Sequence, residues 1–366
     1  MNYYVPVKLY TGRGVLKMHQ EKLLSFGKRA FLVTGKHGAR GSGALADLLE
    51  IFERNGVSYE IYDGISENPP VSSCLEAGRK AHAFQAEMII GIGGGSVMDA
   101  AKVVALSAKD PSLDEERLYS GDWKRERLPL VLIGTTAGTG SEVTKVSVLT
   151  DKNGRKKSIH DDLFFADLSF GDPKYTESMS DNTSRSTGID ALAHLVESYF
   201  SNKADAFSRS CSLEGVRLLL PKLKKMADDP SSLNEEDRDT LYEASLLGGF
   251  AIASTGTVFP HNVGYYFTEE YHIPHGFACA LFLIDLLDYE ERNDPVYTEG
   301  FYTKTFSKRE DYEEICTKLL PHCDISLSEE TLQKILPRWK DNGSVKNTRG
   351  QMDVRDIEEI LRKRFQ

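Results

Sequence analysis

A chain of 366 residues, with 40% hydrophobic and 27% charged residues, can bury two cores of ordinary size and has the balance of a globular protein. Its net charge of −10 argues against a nucleic-acid partner, because binding phosphates requires a basic face. No apolar run approaches the roughly 20 residues that cross a bilayer, and the first seven residues lack the basic-then-apolar pattern of a signal peptide. Five scattered cysteines without a Cys-x-x-Cys pair are typical of a reduced, cytoplasmic protein.

Short apolar runs alternate with helical patterns through the first half of the chain. The pattern predicts, in chain order, a strand at 29–34, a helix at 44–55, a strand at 58–62, a helix at 74–84, and strands at 87–92 and 128–133. This alternation is typical of a Rossmann-like parallel sheet with helices on both faces. We therefore predict an α/β domain over residues 1–175.

The pattern changes after the Asp172-Pro173 step. Strand signals nearly vanish, and long segments have apolar residues at helical spacing. The predicted helices are 188–201, 206–226, 237–253, 309–320 and 354–365. We therefore predict a second, all-helical domain over residues 176–366.

The predicted strand at 87–92 leads directly into Gly93-Gly94-Gly95-Ser96. Glycines allow a tight turn and a close approach of the backbone to a ligand, and Ser96 would open a helix whose free N–H groups can hold a phosphate. The spacing is not the common G-x-G-x-x-G fingerprint, and a glycine-rich turn without a ligand is the alternative. Its place at the carboxyl end of a strand favours phosphate binding.

A second cluster of small and hydroxyl residues follows the predicted strand at 128–133. It runs from Gly134 through Thr135, Thr136 and Thr139 to Glu142. Loops of this composition are often only turns. Because two such loops at neighbouring strand ends would line the same crevice, they support each other as a cofactor site.

The helical half contains residues typical of a metal site. Asp190 and His194 are four residues apart, so they project from one face of a helix. His261 and His275 follow later in the chain. One carboxylate and several imidazoles suit Fe(II) or Zn(II) better than Ca(II) or Mg(II). Each histidine, taken alone, could equally be a buried or surface residue without a metal.

Taken together, these motifs resemble those of the iron-containing (group III) alcohol dehydrogenases, and the resemblance covers nearly the whole length of the chain. The motifs that carry the resemblance are GGGSVMDAAK (93–102), TTAGTGSE (135–142), GIDALAHLVES (188–198) and IPHG (273–276). The segment TGKHGARGSGAL (34–45) is most similar to the 1,3-propanediol-dehydrogenase-like subgroup. The resemblance implies an N-terminal Rossmann-like domain and a C-terminal helical domain.

The resemblance also implies the site residues. The metal ligands, which are also the catalytic residues, would be Asp190, His194, His261 and His275. The cofactor-binding residues would be Gly35, Lys36, Gly94, Gly95, Ser96, Asp99, Thr135, Thr136, Thr139, Val148 and Lys157. Among these, Gly94, Gly95 and Ser96 would hold the pyrophosphate. Asp99 would lie on the nicotinamide side, and Lys157 would reach the ribose.

Two positions depart from the commonest pattern of the family. Many members have an acidic residue after the first strand of the fold, where this chain has Gly35, followed by Lys36 and Arg40. An acidic group would repel a 2′-phosphate, so its absence favours NADP(H) over NAD(H). Many members also have a second histidine four residues after the third ligand, where this chain has Tyr265. His272, a phenol and bulk water are the open alternatives for a proton relay.

The expected function is hydride transfer between NADP(H) and a short-chain alcohol, diol or aldehyde, with Fe(II) or Zn(II) as the metal. Two alternatives remain: a zinc- and NAD-dependent polyol dehydrogenase like glycerol dehydrogenase, and a cofactor-binding sensor without catalysis. We expect a homodimer or larger homo-oligomer, with no nucleic-acid or membrane partner.

Overall fold

The computed structural model describes residues 3–366; residues 1 and 2, the start of the predicted N-terminal domain, lie outside the described residues. The chain divides into two compact units. The α/β unit comprises residues 4–180 and 234–249, and the helical unit comprises 181–233 and 250–366 together with Tyr3. Among residues 3–366, no helix combines the length and apolar character that a bilayer crossing requires.

The α/β unit is built on a six-stranded sheet of order β1-β8-β5-β4-β2-β3, in which every neighbouring pair is parallel. Two further strands, β6 and β7, form a separate antiparallel pair. The strands are β1 (Lys8–Thr11), β2 (Arg29–Thr34), β3 (Ser58–Tyr62), β4 (Met88–Gly93), β5 (Leu130–Gly134), β6 (Val146–Thr150), β7 (Lys156–His160) and β8 (Leu168–Gly171).

Both faces of the large sheet are buried along its inner strands, β2, β4, β5 and β8. Successive side chains of a strand point to opposite faces, and in β2 they enter two different apolar clusters. Phe31 and Val33 belong to one cluster, whereas Ala30 and Leu32 belong to the other. A strand covered on both faces is apolar throughout, which is why β2, β4 and β5 were recognisable from sequence. The predicted doubly covered parallel sheet is confirmed.

Helices connect the strands and then make up nearly all of the second unit. Those before β8 are α1 (Val15–Met18), α2 (Gln20–Leu24), α3 (Gly38–Gly41), α4 (Ala44–Asn55), α5 (Val71–Ala83), α6 (Gly95–Ser107) and α7 (Glu115–Ser120). Those after it are α8 (Asp181–Tyr199), α9 (Ala206–Asp228), α10 (Glu235–Thr255), α11 (Phe259–Tyr271), α12 (His275–Ala280), α13 (Leu283–Asn293), α14 (Pro295–Thr305), α15 (Arg309–Leu319), α16 (Glu329–Ile335), α17 (Gly343–Lys346) and α18 (Val354–Phe365). The largely helical second half is thereby confirmed.

Helix α8 is the central helix of the helical unit. Every residue from 188 to 199 is buried, so the helix is surrounded on all sides instead of having one solvent face. Its polar residues Asp190, His194 and Glu197 are buried with it. Because buried polar groups cost free energy unless they find partners, these three residues require a specific environment.

One buried carboxyl group makes the stability of the helical unit depend on pH. Glu290 of α13 is fully buried, and neither of its carboxyl oxygens has a hydrogen-bond partner among the described residues. Burial raises the pKa of Glu290 to about 8, with Arg349 opposing the rise and Asp294 adding to it. The unfolded carboxyl has a pKa of about 4.3. The folded state therefore keeps a proton that the unfolded state releases, and stability is lost as the pH rises from about 4.3 through about 8.

We expect the Glu290→Gln substitution to remove this loss of stability. At pH 8 the variant should exceed the wild type in free energy of unfolding by on the order of 5 kcal/mol, because the amide never ionises. At pH 4.5 the two proteins should differ little. Chemical denaturation at both values measures the effect, with Glu299→Gln, at an exposed position of α14, as the control. An identical pH dependence in wild type and Glu290→Gln would contradict it.

Candidate metal and cofactor sites

Helix α8 aligns three polar side chains along one of its faces. Asp190, His194 and Glu197 follow at intervals of four and three residues, so they lie above one another on the same side of the helix. Their exposed fractions are 2%, 5% and 0%. The sequence predicted the first two as metal ligands and missed Glu197, although its spacing is visible in the sequence.

Helices α11 and α12 bring two further imidazoles to this face. The distance from His261 Nε2 to Asp190 Oδ1 is 3.4 Å, and from His275 Nε2 to the same oxygen it is 4.0 Å. The rings of His194 and His261 are stacked, with centroids 4.5 Å apart. Asp190, His261 and His275 therefore lie together in the helical unit, and the ring of His194 lies against that of His261.

The neighbouring histidines favour the ionised form of Asp190. Burial alone would raise the pKa of this carboxyl, but the imidazoles of His194, His275 and His261 outweigh burial and hold it well below its usual range. Asp190 is therefore ionised near neutral pH. Two of the buried atoms that face each other here, Asp190 Oδ1 and His261 Nε2, have no hydrogen-bond partner in residues 3–366. Such donor atoms fit a divalent transition metal, which would satisfy both.

The geometric group of donor atoms contains three of the four predicted ligands and one residue that was not predicted, Cys279, and it does not include His194. Ligand atoms of Asp190, His261, His275 and Cys279 all lie within 4.8 Å of one another. In the part of the chain that the structure describes, this is the one such group of three or more His, Cys, Asp or Glu residues. The available signal was the spacing of Cys279, which follows His275 by one helical turn in α12.

Glu197 orients the ring of His261. Its Oε1 lies 2.5 Å from His261 Nδ1, and its Oε2 accepts a hydrogen bond of 2.8 Å from the backbone N–H of Val258. When His261 is neutral and its Nδ1–H donates to Glu197, the lone pair of the other ring nitrogen, Nε2, faces Asp190. A carboxylate that holds a ligating histidine in this way sets both the tautomer and the orientation of the ring.

We expect Glu197→Gln to weaken metal binding about tenfold to a hundredfold, the usual effect of losing an outer partner of a ligating histidine. In the amide an NH₂ donor replaces one of the two oxygens, so either His261 or Val258 faces a donor where it now has an acceptor. Equilibrium dialysis against Zn(II) measures the affinity, and Glu270→Gln, at an exposed position of α11, is the control. An unchanged affinity would show that Glu197 is only a core residue.

Tyr265 and His272 were the two side-chain alternatives for a proton relay, and they lie in different surroundings. The Tyr265 ring lies 5.6 Å from the His275 ring. His272 ends α11 in the left-handed backbone region, with φ 55°, and is exposed. Of the two, Tyr265 contacts the metal-site residues.

The two glycine-rich loops of the α/β unit lie side by side, as their place after neighbouring strands predicted. Gly93 of β4 pairs with Gly134 of β5, and the backbone N–H of Thr135 donates to Gly93 O at 3.0 Å. A Cβ on Gly94 would lie 3.0 Å from the Thr136 side chain. Glycine is therefore what allows the two loops to approach each other.

These loops fit a phosphate group. Gly94 is the N-cap of α6, a helix of 13 residues whose first N–H groups are free to bind an anion. The hydroxyl of Thr136 is buried, and no group in residues 3–366 makes a hydrogen bond with it. A Cβ on Gly95 would lie 2.6 Å from Thr139, so the Thr139 side chain packs against the backbone at the start of α6. Ser96 accepts a hydrogen bond of 3.2 Å from the backbone of Asn68.

Asp99 has a structural task in addition to its predicted place near the cofactor. Its Oδ2 accepts from the backbone N–H of Val148 at 2.9 Å, and its Oδ1 accepts from Ser141 Oγ at 2.6 Å. The fully buried Lys102, which the sequence prediction missed, donates to Ser141 Oγ at 2.6 Å and to Val146 O at 2.7 Å. Asp99 and Lys102 thereby join α6 to the loop at 139–142 and to β6.

The remaining predicted cofactor residues lie at the surface of the α/β unit. Lys36 is exposed, and Gly35 directly follows β2. Lys157 of β7 is exposed, with its ammonium 3.9 Å from the centre of the Tyr119 ring. Both lysines are therefore free to reach a solvent-facing part of a ligand.

Comparisons with known proteins agree with this arrangement. Residues 6–173 match the family "Iron-containing alcohol dehydrogenase", and residues 184–363 match "Fe-containing alcohol dehydrogenase family, C-terminal". A solved iron-containing alcohol dehydrogenase of Thermotoga maritima is 34% identical, covers 99% of this chain and 98% of its own, and superposes with a TM-score of 0.90. Long-chain-alcohol dehydrogenase 1 of Geobacillus thermodenitrificans is 32% identical over 291 residues, 78% of this chain and 72% of that protein.

One relative is much longer than this chain, which matches only part of it. The bifunctional aldehyde-alcohol dehydrogenase AdhE of Escherichia coli is 28% identical over 330 residues, which are 86% of this chain but 37% of that protein. The two family matches together span most of the present chain, from residue 6 to residue 363. This chain belongs to the iron-containing alcohol dehydrogenase family of oxidoreductases.

Proposed function

We propose that this protein transfers a hydride between NADP(H) and a short-chain alcohol, diol or aldehyde, with a divalent metal held by Asp190, His194, His261 and His275. Fe(II) is the metal that the family name implies, and Zn(II) also suits these donors. The observation that carries the proposal is the pair of buried, unpartnered atoms, Asp190 Oδ1 and His261 Nε2, at the centre of the cluster.

The chemistry divides between the bound groups and the chain. When bound, the metal supplies Lewis acidity toward the substrate oxygen, and the nicotinamide supplies or accepts the hydride. Asp190 contributes the negative charge of the site, and Glu197 holds the proton of His261 on Nδ1 so that Nε2 faces inward. His275 keeps 28% of its side-chain surface exposed, which leaves an approach for the substrate oxygen.

The loops at 93–96 and 134–142 are the proposed pyrophosphate site. The N–H groups at the start of α6 and the unpartnered hydroxyl of Thr136 would bind the phosphates. Thr135 and Thr139 would line the site, and Asp99 with Val148 would lie toward the nicotinamide. Lys157 would pair with the ribose through its exposed ammonium. Lys102 acts only by holding the loop in place.

We propose NADP(H) as the cofactor because of the residues that follow β2. Gly35 offers no carboxylate to the ribose hydroxyls, and the exposed Lys36 and Arg40 offer positive charge to a 2′-phosphate. Relatives at similar identity include an NADPH-dependent butanol dehydrogenase of Clostridium saccharobutylicum, 28% identical, and a sulfoacetaldehyde reductase of Bifidobacterium kashiwanohense solved with NAD⁺, 25% identical. One relative is thus named for NADPH and another was solved with NAD⁺ bound, and the local charges after β2 are what we propose to decide the choice in this chain.

We expect NADPH to be preferred over NADH at least about tenfold in kcat/KM, which corresponds to about 1.4 kcal/mol. Lys36→Ala should lower kcat/KM for NADPH and leave that for NADH unchanged, because only NADPH has the 2′-phosphate. Lys109→Ala, at an exposed position after α6, is the control. Equal loss with both cofactors would contradict a phosphate contact.

The remaining alternatives differ in metal, cofactor and turnover. A polyol dehydrogenase like glycerol dehydrogenase would use Zn(II) with NAD(H), and a sensor would bind cofactor without turnover. Neither is favoured, because Asp190, His261 and His275 lie together as metal donors and both family matches are to alcohol dehydrogenases. For the substrate we propose a 1,3-propanediol-dehydrogenase-like specificity. We also propose that the protein forms a homodimer or a larger assembly, which light scattering would measure.

The deciding experiment reloads the metal-free protein anaerobically with Fe(II) or Zn(II). Oxidation of NADPH or NADH is then followed with butyraldehyde and 3-hydroxypropionaldehyde. Metal-dependent turnover with NADPH is the expected result. Turnover only with Zn(II) and with NAD⁺ and a polyol would favour the polyol dehydrogenase, and bound cofactor without turnover on any of these substrates would favour the sensor.

A further inference from the structure

Cys279 lies inside the proposed metal site. It follows His275 by one turn of α12, and its Sγ is 3.4 Å from His275 Nδ1 and 3.8 Å from His275 Nε2. The same sulfur is within 4.8 Å of ligand atoms of Asp190 and His261. Cys279 is fully buried, so its thiol faces these donors and not the solvent.

The surroundings of Cys279 differ from those of the other buried cysteines. Cys74, Cys211 and Cys316 are also buried and free, yet none of them belongs to a group of metal donors among residues 3–366. Buried cysteines commonly serve as small apolar core residues, and these three fit that description. Cys279 instead shares its space with two buried donor atoms that lack partners, Asp190 Oδ1 and His261 Nε2.

We propose that Cys279 Sγ is a further metal ligand and that it shifts the preference of this site from Fe(II) toward Zn(II). The inference rests on the metal site of the proposed function. On coordination the S–H bond is replaced by a sulfur–metal bond, and the proton leaves to solvent. A thiolate is a soft donor that favours Zn(II) over Fe(II), whereas carboxylate and imidazole discriminate less.

The position of the sulfur distinguishes a metal ligand from a residue that only orients a ligand from outside the site. Glu197 contacts only the far nitrogen of His261, Nδ1, and so orients the ring from outside. Cys279 Sγ is on the inner side, within reach of the carboxylate of Asp190 and of both other donors in the group. A sulfur in this place can bond to an ion that these donors hold.

Absorption spectra of the Co(II)-loaded protein test the proposal directly. The wild type should show a sulfur-to-cobalt charge-transfer band in the near ultraviolet in addition to the visible bands of bound Co(II). Cys279→Ser and Cys279→Ala should lose the ultraviolet band and keep the visible ones, and Cys316→Ser should keep both. Competition titrations should show Zn(II) affinity falling at least about tenfold in Cys279→Ser, with a smaller loss for Fe(II).

Each contrary outcome has a separate meaning. Visible bands without a charge-transfer band in the wild type would overturn the sulfur ligand and leave the metal site intact. A charge-transfer band that persists in Cys279→Ser would also overturn it. A wild-type protein that binds no Co(II), Zn(II) or Fe(II) would overturn this inference together with the metal-dependent function. Because the decisive spectrum is that of the wild type, the test does not depend on the variants folding.

Discussion

Replacing His261 by alanine should remove the bound metal and lower kcat/KM by about a thousandfold or more, a loss of about 4 kcal/mol of transition-state stabilisation. The ring of His261 contacts two carboxylates, with Nδ1 at 2.5 Å from Glu197 and Nε2 at 3.4 Å from Asp190. Without the ring, Asp190 loses a neighbour that holds its pKa low, and Glu197 remains buried with one partner fewer. The site therefore loses a donor and the orientation of those that remain.

Metal content by elemental analysis and steady-state rates with reloaded metal measure the effect. His322→Ala is the control, because this histidine is 88% exposed and lies in the same unit. The control should keep metal and activity. A His261→Ala protein that keeps both its metal and full activity would show that this cluster is not the catalytic site.

The parts of the fold that could be predicted are those where one local pattern dominates. The bounds of β2, β3 and α4 were predicted to the residue, because an apolar run or a helical repeat is interrupted on both sides by Gly or a polar turn. Strands β1 and β8 were missed because they have four residues each, with Lys8 and Thr11 in one and Ser169 and Gly171 in the other. A strand this short is stable only through its neighbours in the sheet, which a local pattern does not contain.

The candidate site, like the fold, was predictable from local spacing only in part. Asp190 and His194 share one helix, so their spacing alone put them on one face, whereas His261 and His275 joined them through a family resemblance. Glu197 and Cys279 were missed although each lies one turn from a recognised residue. Their roles depend on what faces them from α11 and α8, and a carboxylate or a thiol at helical spacing has no specific meaning without that neighbour. Helix α12 itself, with six residues after Pro274, was not predicted.

Gly276 shows why the position after His275 has no side chain. A Cβ at Gly276 would lie 1.9 Å from the backbone oxygen of Ser186 and 2.9 Å from Asp190 Cβ. Helix α12 thus contacts the backbone of α8 beside Asp190. A Cβ at Gly264 would similarly lie 2.7 Å from Ala278 O, so α11 also meets α12 through a glycine. These close approaches hold the histidine-bearing helices near Asp190.

We expect Gly276→Ala to lower the free energy of unfolding of the metal-free protein by about 3 kcal/mol or more, the upper range for overpacking. The obstacle is a backbone carbonyl of the central helix, which cannot turn aside as a flexible side chain would. Relief requires α12 to move away from α8, which carries His275 away from Asp190. Metal affinity should therefore fall at least about tenfold as well.

Gly300→Ala is the matched control, because Gly300 lies in α14 of the same unit and a Cβ there meets no atom within 4 Å. Alanine should raise stability at that position by about 0.5–1 kcal/mol, since it costs less backbone entropy than glycine in a helix. Chemical denaturation of the metal-free proteins keeps the stability effect separate from metal linkage, and titration with Zn(II) then measures affinity. If Gly276→Ala were as stable as Gly300→Ala and bound metal like the wild type, the approach of α12 to α8 would not be what positions His275.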